Sequence, residues 1–341
     1  MHSDALTAAR YPAVLCELAA DKGIDAATLL HGTGLDERRL ADPTGFASDT
    51  ELNRFLANFS RLTGETMPGL LLGERLNISA HGTIGFAGLT AANAEDAVHL
   101  ACRYFELVSA LVSLTLVKDN NRAHLQITPL PDLDERLEHF ILHAMLGSFN
   151  VMAAFLVDRL TFQVDLAFPE QPQLVERLGD NIERVRFNQP GHRFSIPAAL
   201  LRVPFALADR AAHERALTQC DKELETLHRR RSFAERLYRE LLVSADAMPS
   251  IEQVAQTLHV SSRTIHRHLE QERTRFRDLV NAARISKAKR HLLRDGLSVT
   301  ATAHQLGYQD SANFTRAFKR ELGMTPSDFV REFHNNRKRE S

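Results

Sequence analysis

Apolar positions recur every three to four residues over most of this chain, and the places where that period breaks mark its organisation. In "DTELNRFLANFSRLTG", Leu52, Phe55, Leu56, Phe59 and Leu62 make one helical stripe that Gly64 ends. Residues 10–75 read as helical in this way. "GTIGFAGLTAANAEDAVHLACRYFELVSAL" reads as a glycine-punctuated loop followed by an amphipathic helix. The period then drops to two. "LTLVKDNNRAHLQITPL" alternates on both sides of Asn120-Asn121 and predicts a β-hairpin. A helix over about 131–158 follows, then a strand in "TFQVDLAFP", a short helix in "QPQLVERLG" and a second hairpin around Pro190-Gly191 in "RVRFNQPGHRFSIP". Mixed helices and strands predict an α+β domain of sensory size over residues 1–205. Residues 206–244 read as a charged helical connector closed by Met248-Pro249. Leu217, Cys220, Leu224 and Leu227 fall at heptad-like spacing there, over barely two heptads. A helix packed on its neighbours and a dimer seam both fit that stripe.

The last third has a different pattern. Ser250 with Gln253 makes a capping box, and Ile251, Val254, Ala255 and Leu258 follow on one face. After the short turn "HVS", Ser261 can cap a second helix with Ile265 and Leu269 inward. Two short helices, a tight turn and a small residue at the crossing predict a helix-turn-helix. The pattern recurs: Ser298 can cap a helix carrying Ala303 and Leu306, Gly307 supplies the turn, and Asp310 can cap a helix with Phe314 and Phe318 inward. Thr325-Pro326 with Asp328 starts one more helix. Between the two motifs, "RFRDLVNAARISKAKRHLLRDG" predicts about 20 residues of helix stopped by Gly296, roughly 30 Å long. That is close to the ~34 Å turn of B-DNA. The expected fold class is thus an α+β domain of sensory size, then an all-α domain over 245–335 with two helix-turn-helix motifs joined by a long helix, and a basic tail at 336–341.

Charge changes the picture because it is unevenly placed. The whole chain carries a net charge of −1, yet residues 250–341 hold 17 Lys and Arg against 10 Asp and Glu. The basic C-terminal part and the acidic remainder, at +7 and −8, point to a polyanion partner for the C-terminal part only. Facing out of the first second-helix are Arg263, His266 and Arg267; out of the other, Ser311, Ala312, Thr315 and Arg316. Arg can read guanine with two hydrogen bonds, and Thr or Ala can touch a thymine methyl. Lys287, Arg290, Lys319 and Arg320 are the expected phosphate contacts, which give affinity without sequence information. Any one of these arginines could be plain solvated surface; the doubled motif is much harder to dismiss.

Residues 245–335 resemble the DNA-binding domain of the AraC/XylS family of bacterial transcription regulators. "SIEQVAQTLHVSSRTIHRHLEQE" and "ATAHQLGYQDSANFTRAFKRELGMTPSDFVR" carry the resemblance. Ala303, Gly307, Tyr308, Phe314, Arg316, Phe318, Gly323, Thr325 and Pro326 fall where that family has its signature. His259 departs from it, since the family often has Gly in that turn. The first half is similar to the arabinose-binding-like sensory domain of a subset of about 340 residues, through "GTIGFAGLTAANAEDAVHLACRYFELVSALVSLTLV" and "RVRFNQPGHRFSIPAALLRVPF". That subset includes regulators of ornithine and other amino-acid catabolism and of virulence or stress genes. The resemblance implies double-stranded promoter DNA, RNA polymerase and a small-molecule effector as partners, a homodimer, and activation as the sign of regulation.

Other chemistry is sparse. Gly82, Gly85 and Gly88 lack the dinucleotide spacing, so a tight loop before a helix is the expected use. His139 and His143 lie one turn apart, but no third ligand declares itself, and no metal or cofactor is expected. His81, Arg103 and His143 are the candidate polar anchors of an apolar effector pocket. Cys16, Cys102 and Cys220 are far apart, as suits a reducing cytosol and an absent alkyl-transfer site. No glycine-flanked nucleophile marks a hydrolase elbow. No apolar run reaches membrane length, and the N-terminus does not read as a secretory signal. The reading is a cytoplasmic, effector-controlled, non-enzymatic DNA-binding regulator, possible work in amino-acid or related catabolism included. An effector-free architectural protein, or an enzyme fused to the same DNA-binding part, is the alternative.

Overall fold

The computed structural model describes residues 6–76, 78–131, 133–156, 161–178, 181–230, 232–244, 248–293 and 295–332. The basic tail at 336–341 lies outside them. Two compact units are present, one built chiefly from residues 4–129 and 133–227, the other from 228–341.

The N-terminal unit opens with a two-stranded antiparallel ribbon of β1 (Leu6–Ala8) and β2 (Phe46–Ser48). Between them run α1 (Arg10–Ala20), α2 (Ala26–Leu30) and α3 (Glu37–Ala41). The helix α4 (Asp49–Thr63) begins at a complete Ser48–Glu51 capping box and stops at Gly64, whose φ of 74° is left-handed. Next come α5 (Pro68–Arg75), α6 (Thr83–Leu89) and α7 (Ala94–Tyr104). The glycine-rich stretch expected as a loop is therefore mostly the short helix α6. Gly82, at φ 66°, turns the chain into it, while Gly85 and Gly88 lie within it.

Strands β3 (Val112–Lys118) and β4 (Arg122–Pro129) form the expected hairpin, with Leu114 opposite Ile127 and Leu116 opposite Leu125. The helix α8 (Glu135–Leu156) packs against α5 at very close range. A Cβ on Gly69 would stand 2.1 Å from the Phe140 carbonyl oxygen, and one on Gly73 would stand 2.3 Å from that of Ala144. Only glycine lets the two backbones approach so closely. After α8 come β5 (Phe162–Asp165), α9 (Pro172–Arg177), β6 (Ile182–Arg186) and β7 (His192–Pro197).

The second expected hairpin does not form. The sheet order is β3-β4-β7-β5-β6, so β5 lies between β6 and β7, parallel to the first and antiparallel to the second. Burial explains the choice. Phe162 and Val164 of β5 are fully buried, as a central strand requires, whereas β6 is half-exposed, as suits an edge. Asp165, also buried, fixes the register: Arg186 of β6 donates to it at 2.7 and 2.8 Å, and Arg193 of β7 at 2.5 and 3.0 Å. The unit closes with α10 (Arg210–Arg230). Ala212, Ala216, Cys220 and Leu227 are buried, with Leu217 and Leu224 half-buried beside them.

The C-terminal unit contains α11 (Phe233–Val243), α12 (Ile251–Thr257), α13 (Ser262–Gln271), α14 (Phe276–Leu293), α15 (Val299–Gln305) and α16 (Ser311–Leu322), with a further helix over 326–332. It has two cores. Leu237, Tyr238 and Leu241 of α11 pack with Val254, Ala255, Ile265, Leu269 and the first half of α14. Ile285, Ala288 and Leu292, from the second half of α14, pack with Ala303, Leu306, Phe314 and Phe318. The stretch read as one connector over 206–244 thus contains two helices with different partners. The apolar face of α11 is covered by the C-terminal core, and Glu272 accepts hydrogen bonds from both Phe233 and Ala234 at its start.

Candidate nucleic-acid interface and effector pocket

The two helix-turn-helix motifs are built by the same local rules. Ser250 and Ser298 cap the first helices, accepting from the backbone of Gln253 and Ala301. Ser261 and Asp310 cap the second ones, accepting from Thr264 and Asn313. The turns match as well. Val260 donates to the Ala255 carbonyl at 2.9 Å, and Tyr308 donates to that of Ala303 at the same distance. His259 and Gly307 occupy corresponding places, both left-handed, at φ 53° and 77°. His259 therefore adopts the backbone that glycine would supply. The second turn is one residue longer, since α15 and α16 are separated by 306–310 and α12 and α13 by 258–261. The long helix α14 has 18 residues, about 27 Å. Each half serves a different core, and one unbroken helix joins the two motifs.

Inward burial fixes what points out. Ile265, Leu269, Phe314 and Phe318 are buried, leaving Arg263, His266 and Arg267 exposed on α13, and Ala312, Arg316, Lys319 and Arg320 exposed on α16. Ser311 and Thr315 are half-buried on the same helix. Asn313, which the sequence reading passed over, accepts from Arg316 at 2.6 Å and holds that guanidinium at the helix surface. Its signal was the Asp310–Asn313 pairing at the cap.

Two of the expected phosphate contacts sit elsewhere. Lys287 is 1% exposed, and its ammonium donates to the Ser244 carbonyl at 2.8 Å and to its hydroxyl at 3.2 Å. It is a structural lysine tying α14 to the end of α11 and is corrected as a phosphate contact. It lies on the inner face because the apolar stripe of α14 turns between its two cores. Arg290 is half-buried, 3.6 Å from Asp295, which also bonds the buried His291 at 2.7 Å.

The three expected effector anchors do not converge. Arg103 lies at the surface, 2.9 Å from Asp221, with its guanidinium 4.9 Å over the Tyr104 ring; Tyr104 donates to the same carboxylate at 2.7 Å. This is a clasp between α7 and α10. His143 is buried, 3.0 Å from Gln171, stacked on His139 and edge-on to Phe168. Burial pushes its pKa down to about 4, with His139 adding to the effect. Neither residue reaches the cavity that the N-terminal unit does contain.

His81 does reach it. The cavity, about 220 Å³, lies between the sheet and helices α5 to α8. His81 bonds the Tyr11 hydroxyl through Nδ1 at 3.0 Å and the Ser148 hydroxyl through Nε2 at 3.1 Å, and all three line the wall. Burial pushes the imidazole down to about 4, and Arg10 pushes the same way, so the ring is neutral near pH 7. Burial raises the Tyr11 phenol above its ordinary value. Tyr11 and Ser148 were not legible as partners, because they stand 70 and 67 residues from His81.

A helical unit presenting two equivalent basic recognition helices, in one chain with a mixed unit that contains an apolar cavity, defines a DNA-binding regulator. The chain belongs to the AraC family of transcription regulators. Residues 23–205 match the arabinose-binding domain of AraC transcription regulators, and 254–332 match a helix-turn-helix domain model. It is 32% identical to the ornithine utilization regulator of Pseudomonas aeruginosa over 94% of each chain. It is 26% identical to the regulator VqsM of Pseudomonas aeruginosa, over 88% of this chain and 95% of that one. Over a shorter stretch, 23% of this chain and 27% of that one, it is 35% identical to the urease operon transcriptional activator of Escherichia coli.

Proposed function

We propose that this chain is a cytoplasmic, non-enzymatic transcription activator that binds promoter DNA as a homodimer and answers to a small molecule held in its N-terminal cavity. The equivalence of α13 and α16 carries the reading. Arg267 and Arg316 stand at the same interval from their N-caps, both exposed, on motifs joined by one continuous helix. Arg263, His266, Arg267, Ala312 and Arg316, with Ser311 and Thr315 beside them, read base edges in adjacent major grooves. Lys319 and Arg320 contact phosphate. The basic C-terminal part and the acidic remainder support DNA as the partner of the former alone. Residues 1–205 hold the effector, 245–335 hold the DNA, and the half-buried Leu217 and Leu224 of α10 supply the dimer seam. Activation, which would engage RNA polymerase, is supported by the name of the urease operon transcriptional activator, and amino-acid catabolism as the class of target genes by that of the ornithine utilization regulator. Effector binding shifts the population of DNA-competent arrangements.

The test is selection of bound fragments from random duplex DNA by the full chain, wild type beside Arg267→Ala/Arg316→Ala. The expected result is one enriched motif with two elements about 10 bp apart, lost in the double variant. Enrichment of no motif by the wild type, or of the same motif by both, overturns the reading.

A further inference from the structure

We infer that the cavity of the N-terminal unit takes a neutral, mostly hydrocarbon effector bearing one hydrogen-bond-accepting oxygen, in place of a sugar or a free amino acid. This rests on the reading of that unit as the effector-binding part of a regulator; what it adds is the chemistry of the ligand. The volume of about 220 Å³ corresponds to about seven waters, so to on the order of ten non-hydrogen atoms.

The wall is built from aliphatic and aromatic side chains, glycine and the thioethers of Met145 and Met152, except at Thr7, Tyr11, His81 and Ser148. Among the described residues that line it there is no Asp, Glu, Lys or Arg. The Thr7 hydroxyl is already bonded to that of Ser109 at 2.8 Å. A sugar of this size would bury several hydroxyls against carbon, each without a partner. A zwitterionic amino acid would bury two charges with no counter-ion on the wall. Arg10, the cation that turns toward Gly82, is not part of the lining.

The remaining three polar groups form one chain, Tyr11–His81–Ser148, and its hydrogens can be counted. Two hydroxyls and one neutral imidazole carry three hydrogens between them. The bonds at 3.0 and 3.1 Å use two. One is left, on Tyr11 or on Ser148 according to the imidazole tautomer. The chain therefore offers a single donor to a ligand, which a carbonyl or hydroxyl oxygen satisfies. The rest of the ligand meets carbon, and Gly85 and Gly88 widen the space along α6; a Cβ on Gly88 would meet no atom within 4 Å.

Isothermal titration calorimetry on the full-length protein at pH 7.5 tests this with four probes of similar size: 1-octanol, octanoate, L-arabinose and L-ornithine. Two variants fill the cavity independently, Ala101→Phe from α7 and Gly88→Leu from α6, each checked for a native far-ultraviolet spectrum. The expected result is one 1-octanol per chain, at least tenfold tighter than any other probe, with a negative heat-capacity change, and lost in either folded filling variant. Tighter binding of L-arabinose or L-ornithine, lost on filling, overturns the ligand class and leaves the regulator reading standing. Binding of none of the four, or 1-octanol binding that both folded variants retain, overturns the assignment of an apolar effector to this cavity. Calorimetry uses no DNA, so these outcomes are separate from a failure of the motif selection above.

Discussion

Arg316 and Lys319 lie on one helix three residues apart, and the proposed roles, base edge for one and phosphate for the other, are separable by salt. Arg316 donates to Asn313 at 2.6 Å at the exposed surface of its helix, and the proposal gives it a base edge. Arg316→Ala should cost about 1–3 kcal/mol on the selected site and relax preference at one base pair. Lys319→Ala should weaken selected and random DNA alike and flatten the salt dependence by about one charge. Lys287→Ala should leave that salt slope untouched and lower the unfolding free energy by roughly 1–3 kcal/mol, because it removes a buried donor to Ser244. Anisotropy titrations of labelled duplex at several salt concentrations, beside urea unfolding, distinguish the three. A Lys287→Ala slope as flat as that of Lys319→Ala would put the buried lysine back on the phosphate. At this scale the exposure of Arg263, His266, Arg267, Ala312 and Arg316 was legible, since it follows from which neighbours face inward. Lys287 was not, because a basic residue on a helix gives no sign of burial until the second core is in place.

At the scale of elements, the matched turns make a paired prediction. His259, at φ 53°, bears the strain that Gly307 avoids at 77°. His259→Gly should stabilise by up to about 1 kcal/mol, and Gly307→Ala should destabilise by a similar amount. Urea midpoints followed by circular dichroism read both, and equal effects of the same sign would contradict the left-handed turn. The α5–α8 crossing has no such latitude. Gly73→Val should cost about 1–3 kcal/mol or more, since its Cβ position is 2.3 Å from a carbonyl oxygen of α8; an unchanged midpoint would mean the helices do not pack so closely. The helix-turn-helix motifs were readable because their caps act within three residues. The β6–β7 pairing was misread because it depends on β5, which supplies the buried Phe162 and Val164 from outside the apparent hairpin. The stripe on α11 was visible, but the stripe alone does not say which core covers it. The cavity was the least legible feature, being assembled from helices and strands distant in sequence.

For the whole molecule, acidity should act on the N-terminal unit. His81 and His143 are held at about 4, while the unfolded chain protonates them near 6.5. Between those values the unfolded state binds more protons, so stability is level above about pH 6.5 and falls as pH drops toward 4, by roughly 1–3 kcal/mol for each histidine. Urea midpoints at pH 7, 5.5 and 4.5 should decline in that order, and the decline should lessen in His143→Gln. A midpoint that stays level would mean the imidazoles are not buried neutral. The sheet order also sets a schedule for synthesis. β5 leaves the ribosome with a parallel neighbour still to come and its antiparallel neighbour, β7, later still. At about 5–20 residues per second, Phe162 and Val164 wait on the order of a few seconds for that strand to be made. A nascent chain arrested before His192 would carry an apolar strand with no antiparallel mate, a binding site for chaperones that the finished protein conceals.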